Sequence, residues 1–498
     1  MRTTNTIKLQ GVDYVPVKVE CKITPGIGIH LVGLADIAVK ESLLRTITAM
    51  QANAFRIPGK RVIINLAPAD LCKKGCHYDL PIALATIAES GQAEMRELER
   101  MVVVGELALD GRVRSVPGVV KAVQAAVDNG FGVIIPRANA KEVAELFADY
   151  SPIYPVGTLR EAIEVAETLR GDHIWDLPEV QEEEPEPQGW WDRIPGQYGA
   201  KRALEIAAAG RHHMLMIGAP GSMKAALGKA MLDILPPMSK EEAMEVAKIW
   251  SAAGRNQQVK RRPFRAPHIS ASVATWAGGG AGDTILPGEV SLAHNGVLYV
   301  DQFAEIPRVV GEFLRGPVED GKVVIGRLRS KVEYPSRFQL ILASNPCPCG
   351  YYGEGDRCTC TKGVRERYMA RLSGPVIDHV DVQVWVHPEL PENVSVTGDP
   401  ASVVAERVLA ARERQMKRQG KLNSELDVTE LSKFVPAGNE ELSFLEEIIT
   451  KMGLSARAFS RMVKIAMTIA DLEGAERVRR EHLAEAACYR FLDRTQVL

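Results

Sequence analysis

His213-Met214-Leu215-Met216-Ile217-Gly218-Ala219-Pro220-Gly221-Ser222-Met223-Lys224-Ala225 is an apolar run of strand length that enters a glycine-rich turn and a lysine. Its order is that of a phosphate-binding loop, G-x-x-x-x-G-K-[ST], in which backbone N–H groups cradle phosphates, the lysine reaches the β/γ-phosphates and the hydroxyl holds Mg²⁺. Gly218 and Lys224 are in register, with Gly221 inside the turn. Two parts differ. Met223 stands where the second glycine belongs, and its Cβ crowds a turn that often wants positive φ. Ala225 replaces the hydroxyl residue and offers the metal no oxygen. A shifted register on Gly228-Lys229 fails as well, because Met223 falls on its first glycine and Ala230 follows the lysine. Taken alone, the stretch reads equally well as a strand, a turn and a helix with a chance lysine, so the decision rests on what lies downstream.

Downstream, Gly296-Val297-Leu298-Tyr299-Val300-Asp301-Gln302 is a second apolar strand ending in a carboxylate, where an ATPase places the acid that holds the magnesium shell. The plain alternative for Asp301 is a strand-end turn residue. The usual partner of that acid is a glutamate that polarises the attacking water. Gln302 occupies its place, and an amide can hydrogen-bond a water but cannot take its proton.

Around these landmarks the chain resembles the ComM/YifB family of AAA+ ATPases, relatives of the magnesium-chelatase ATPase subunit. The resemblance covers nearly the whole chain. It is carried by Pro68-Ala69-Asp70, Asp79-Leu80-Pro81-Ile82-Ala83-Leu84, Gly196-Gln197, Ala200-Lys201-Arg202-Ala203-Leu204-Glu205, Arg262-Pro263-Phe264-Arg265-Ala266-Pro267-His268, Ser291-Leu292-Ala293-His294-Asn295-Gly296, Asn345-Pro346-Cys347-Pro348-Cys349-Gly350 and Leu454-Ser455-Ala456-Arg457-Ala458. The family implies a hexameric ring with ATP between subunits, DNA in the pore, and helicase activity that drives branch migration in recombination. By motif, Asn345 resembles the sensor-1 residue that orients the water, and Arg457 the sensor-2 arginine that reaches the γ-phosphate from a helical lid. The family word that supplies the arginine finger in trans reads Gly374-Pro375-Val376-Ile377-Asp378-His379 here. His379 is shorter than arginine and lacks its guanidinium fork. Met223, Ala225, Gln302 and His379 thus alter four catalytic parts while the framework words stay intact.

The expectation is a pseudo-ATPase: a ComM-like ring protein that binds nucleotide weakly or not at all and hydrolyses little, alone or in a hetero-hexamer with an active paralogue. Its alternatives are a slow but active helicase, with Arg371 or Arg367 standing in for the finger, and a non-motor scaffold or chelatase-like adaptor. Enzyme activity is left open by these substitutions. ATP is the expected ligand, with Mg²⁺ in doubt.

Composition agrees with a soluble, multi-domain protein. The 498 residues exceed what one core organises. Apolar residues at 46% and charged residues at 25% are ordinary for globular proteins. No apolar run approaches the roughly 20 residues of a membrane span, and the opening Met1-Arg2-Thr3-Thr4 lacks a hydrophobic signal core, so a cytoplasmic location is expected. With 61 basic and 63 acidic side chains, DNA contact would have to come from local patches.

The breaks suggest four parts. Residues 1–172 form a first domain that resembles the ribosomal-S5-like, α+β domain of Lon-type proteases. Residues 173–190 are a linker, marked by Gln181-Glu182-Glu183-Glu184-Pro185-Glu186-Pro187-Gln188. Residues 191–390 are the AAA+ α/β core with a parallel sheet, and 391–498 a helical C-terminal lid. In the first domain Lys121, after Pro117-Gly118-Val119-Val120, invites comparison with the lysine of the Lon dyad, but no serine accompanies it. We read Lys121 as a solvated helix residue and Cys76 as a small loop or core side chain.

Four of the eight cysteines form two C-x-C pairs, Cys347/Cys349 and Cys358/Cys360. Four thiolates can close a tetrahedral structural zinc site, against the alternative of a loop of free thiols. Two stretches are candidate DNA contacts. Lys322 to Tyr334 resembles the family's pore hairpin, with Arg327, Arg329 and Lys331 expected on one face by strand alternation. The other is Lys260-Arg261-Arg262-Pro263-Phe264-Arg265. The alternative is a solvated hairpin whose cations pair with acids on a neighbouring subunit.

Overall fold

The structure, a computed structural model, describes residues 1–150, 152–172, 189–255, 261–280, 285–327, 330–372, 376–388, 398–435, 437–452 and 456–493. The acidic stretch 181–188 lies outside them, as does Arg329.

In the N-terminal part, Arg2–Gln10 and Asp13–Thr24 form an antiparallel hairpin closed at Gly11, whose φ of 61° suits the turn. The pattern that places Val17, Val19 and Cys21 inside puts Lys18 and Lys22 outside, the two-residue period of a half-buried strand. Arg61–Ala67 pairs antiparallel with the second strand and buries Val62, Ile64 and Leu66. Ile29–Val32 closes one edge of the sheet; Met101–Val103, Gly132–Pro136 and Ile153–Val156 extend it in parallel on the other side of Arg2–Gln10. The last two strands read as unbroken apolar runs because both faces are covered. The result is a seven-stranded mixed sheet accompanied by helices.

The central part is a five-stranded, wholly parallel sheet in the order Phe264–Arg265, Val297–Val300, Gln339–Ser344, Met214–Ile217, Val382–Trp385. Alternation divides the central strands cleanly. Met214, Met216, Val297, Tyr299, Ile341 and Ala343 pack against the helices Tyr198–Gly210 and Lys224–Ile234. Leu215, Ile217, Leu298, Val300, Leu340 and Leu342 face the opposite cluster, with Val310 and Leu314 of helix Arg308–Asp320. Each such aliphatic side chain contributes about 2 kcal/mol by leaving water. The result is the three-layer arrangement that strands alternating with helices demand.

Beyond it lie the helices Ala401–Gln419, Val428–Phe434, Asn439–Met452, Ala456–Glu473 and Arg480–Cys488. They share one apolar cluster with the Tyr198–Gly210 side of the sheet. The chain end returns to the edge strand, where Gln383 N–H donates to Tyr489 O, and the buried Arg490 donates to the carbonyls of Val380 and Asp381. No helix among the described residues is long and apolar enough to cross a membrane.

The N-terminal part docks on the core through helix Lys240–Ala252, which starts with a capping box between Ser239 and Glu242. Ala243 and Ala247 of this helix join the cluster of Val119, Val120 and Val123. Ser251 Oγ accepts the Gly118 N–H at 3.0 Å.

Candidate nucleotide site

Three neighbouring parallel strands end side by side: Met214–Ile217 in the loop at Gly218, Val297–Val300 in Asp301, and Gln339–Ser344 in Asn345. The carboxyl ends of such strands are where open α/β sheets bind ligands. The fold thus brings Gly218, Gly221, Lys224, Asp301 and Asn345 to one rim.

The loop is sterically determined. A Cβ at Gly218 would collide with the Val386 carbonyl, and Gly221 has φ +85°. Met223 has φ 64° and caps the helix Lys224–Ile234 without a side-chain bond. The chain therefore does make the left-handed turn that glycine favours, with a side chain that resists it. Lys224 folds back into the loop: its Nζ donates to Gly218 O at 2.7 Å, Ala219 O at 2.9 Å and Ser222 Oγ at 3.3 Å. Burial pushes its pKa down, partly offset by the charge of Asp301. The cradle of backbone and ammonium suits a polyphosphate. The metal side of the site fits poorly, since Ala225 offers no oxygen and Ser222 Oγ is engaged by the lysine.

Asp301 is exposed and accepts the Gln302 N–H at 2.9 Å. Gln302 itself is exposed, with φ 48°. His379 Nε2 lies 3.1 Å from Glu319 Oε1, so this imidazole pairs with a carboxylate of its own chain. Neither proposed substitute is uncommitted: Arg371 lies 3.5 Å from Glu305 and over the Tyr368 ring, and Arg367 donates to Gly363 O. Arg457 falls in the first turn of helix Ala456–Glu473, with its side chain outside the described residues.

A buried polar chain that sequence reasoning missed ties the C-terminal helices to the sheet. His212 bonds Asp381 through Nδ1 and Thr468 through Nε2, both at 2.8 Å. Asn423 joins Thr468 to Asp471, which Arg418 grips with two bonds of 2.6 and 2.9 Å. No local motif announces these residues, which are 256 positions apart at the His212–Thr468 contact.

The four loop cysteines converge. Their sulfur atoms all lie within 4.8 Å of one another, with Cys347–Cys349 at 3.3 Å, Cys349–Cys358 at 3.7 Å and Cys347–Cys358 at 3.8 Å. Tetrahedral zinc with Zn–S bonds of about 2.3 Å needs sulfurs about 3.8 Å apart. The donor set and spacing fit a closed structural site. The N–H of Tyr351, above all, draws the Cys349 thiol down to about 6.

Several expectations are corrected. Lys121 is 1% exposed, not solvated; its ammonium donates to the Gly11 carbonyl at the hairpin turn, and burial lowers its pKa to about 8. Cys76 does sit in a loop, half-buried, and burial, aided by Glu106, pushes its pKa up to about 12, the reverse of an activated nucleophile. Arg327 and Lys331 do not share a face. Arg327 pairs with Ser330 and Lys331 with Gly326, adjacent pairs that alternate across the ribbon. Lys331 is exposed, while the Arg327 side chain lies outside the described residues. In the second basic stretch, Arg262 is bound by Glu242 and by the carbonyls of Pro236, Pro237 and Asn295, and Arg265 grips Glu289. These two arginines hold the fold together.

A parallel five-stranded sheet with a glycine-rich strand-to-helix loop, a strand-end acid and an adjoining helical region fits a core of the AAA+ class. Residues 191–394 match the family described as "Magnesium chelatase, subunit ChlI", 19–139 match "Subunit ChlI of Mg-chelatase", and 398–490 match "Magnesium chelatase, subunit ChlI C-terminal". The uncharacterized protein YifB of Salmonella typhimurium is 40% identical over 97% of this chain and 96% of its own length. The competence protein ComM of Haemophilus influenzae is 40% identical over 94% of this chain and 92% of its own. A shorter likeness, 39% identity over 16% of this chain and 8% of the relative, joins it to the archaeal Lon protease of Pyrococcus abyssi. The chain belongs to the ComM/YifB family of magnesium-chelatase-like AAA+ proteins.

Proposed function

We propose that this protein is a ComM-like ring subunit that acts with DNA in recombination or branch migration and has lost most of its ATP hydrolysis. The carrying observation is the pairing of an intact framework, with Gly218, Lys224, Asp301 and Asn345 on one rim, with Met223, Ala225, Gln302 and His379 at positions of catalytic chemistry. ATP bound with Mg²⁺ would supply an electrophilic γ-phosphorus to an attacking water. In this reading Lys224 and the loop amides hold phosphates, Asp301 faces the metal side, and Asn345 orients a water that Gln302 cannot deprotonate. His379, paired with Glu319, brings no guanidinium to a neighbouring subunit's site. An arginine finger alone is worth roughly 10³ to 10⁵ in rate, and losses within one machine are not additive. A thiolate-held zinc belongs to this reading as a framework element, and DNA in the pore of a homo-hexamer, or of a hetero-hexamer with an active paralogue, as its partner.

The test is reversion. Met223→Gly, Ala225→Thr, Gln302→Glu and His379→Arg together are expected to raise phosphate release at least about 100-fold, whereas each alone leaves it near background. A wild-type rate that the combined variant does not exceed would sink the proposal.

A further inference from the structure

The cysteine loop is packed against the phosphate-binding loop. Gly350, one residue beyond the first C-x-C pair, has φ +87°, and a Cβ there would lie 2.7 Å from Pro220 Cδ, 2.8 Å from Pro220 Cγ and 3.8 Å from Asn345 Cγ. Backbone at position 350 thus touches the turn that carries Gly218 to Lys224, within reach of Asn345. Cys347 is fully buried two residues beyond Asn345. The N–H of Gly350 donates to Cys347 O at 2.9 Å, and the Gly350 and Tyr352 N–H groups also point at the Cys347 sulfur. Those of Tyr351 and Thr359 point at Cys349.

The far side of the loop is anchored elsewhere. Arg365 donates to Cys360 O at 3.0 Å and lies over the Tyr352 ring at 4.4 Å; Arg357 covers Tyr351 at 4.2 Å. Glu354 reaches His387, just beyond the edge strand, at 3.7 Å. Between these anchors the segment from 346 to 361 has a single three-residue helical turn and no strand. A segment this poor in secondary structure depends on such side-chain anchors and on what its cysteines bind.

We propose that Cys347, Cys349, Cys358 and Cys360 bind one zinc ion, and that the metal-held loop buttresses the phosphate-binding turn through Gly350 and Pro220, so that metal loading governs the order of the nucleotide site. This rests on the reading of Gly218 to Lys224 as a phosphate-binding loop. Zinc here does no chemistry on ATP; four thiolates leave it no open coordination position.

The experiment uses the full-length protein. Elemental analysis is expected to give one zinc per chain, lost in Cys358→Ser/Cys360→Ser. Hydrogen exchange is then followed with and without metal removal by a thiol-reactive mercurial and chelator. Amides at 218–224 are expected to exchange at least about tenfold faster in the metal-free protein, while the strand 132–136 of the N-terminal sheet is unchanged. Gly350→Ala keeps all four thiols and is expected to retain zinc yet show the same loss of protection at 218–224. Absence of stoichiometric zinc, or iron in its place, overturns the metal assignment. Zinc whose removal leaves 218–224 protected overturns the coupling. Titration with a fluorescent ATP analogue separates the two readings: zinc-dependent protection with no nucleotide binding keeps this inference and counts against ATP as the ligand.

Discussion

At the scale of the residue, Met223 stands out in the loop from Gly218 to Lys224. A non-glycine residue held at φ 64° costs about 1 kcal/mol, and its side chain is more than a third exposed, so burial returns little. Met223→Gly should therefore raise the melting midpoint of the transition containing the core by about 2–4 °C; an unchanged or lower midpoint in a thermal scan would show that the methionine is not strained. The loop was legible because its parts lie within a dozen consecutive residues. Lys121 was not, because its burial is created by a hairpin turn 110 positions away in the chain, a contact that no local pattern encodes. Cys347 and its partners were legible as a group through spacing alone. The approach of Gly350 to Pro220 was not, since it depends on how two strand-end loops lean together.

At the scale of the element, the helices following residue 400 were readable from pattern, and their attachment was not. The attachment is polar as well as apolar. Burial pushes the Asp381 carboxyl up, but the bond from His212 and the charges of Lys464 and Arg461 outweigh it, and the group falls from 3.8 to about 2. A depressed folded pKa contributes stability that is present above the ordinary value and lost as pH falls through the folded one. The contribution is on the order of 2 kcal/mol. Asp381→Asn should lower stability at neutral pH by about that amount and flatten the acid limb between about pH 4 and pH 2. Parallel acid limbs in the two denaturation profiles would contradict the coupling of helices to sheet through this group. The paired strands Lys322–Arg327 and Ser330–Pro335 give the complementary lesson: period-two reasoning holds within each strand and does not carry from one to the other. If exposed Lys331 meets phosphate, Lys331→Ala should reduce the slope of log affinity against log salt by about 1, uniformly across DNA sequences. An unaltered slope would remove Lys331 from the DNA surface.

At the scale of the molecule, the N-terminal sheet is joined to the core by a helix face and a buried hydrogen bond, so the chain meets any DNA or neighbour as a docked assembly of sheet, core and helices. Composition could suggest the number of parts, but only the folded chain reveals that Ser251 and Gly118 join two of them. The central claim is that this assembly retains a nucleotide-shaped rim without the chemistry to hydrolyse what it holds. Phosphate release from the purified full-length protein, with Mg²⁺ and with or without forked DNA, tests it most directly. Turnover at background level that DNA does not raise is the expected result. DNA-stimulated release abolished by Lys224→Ala would contradict the account and identify an active helicase.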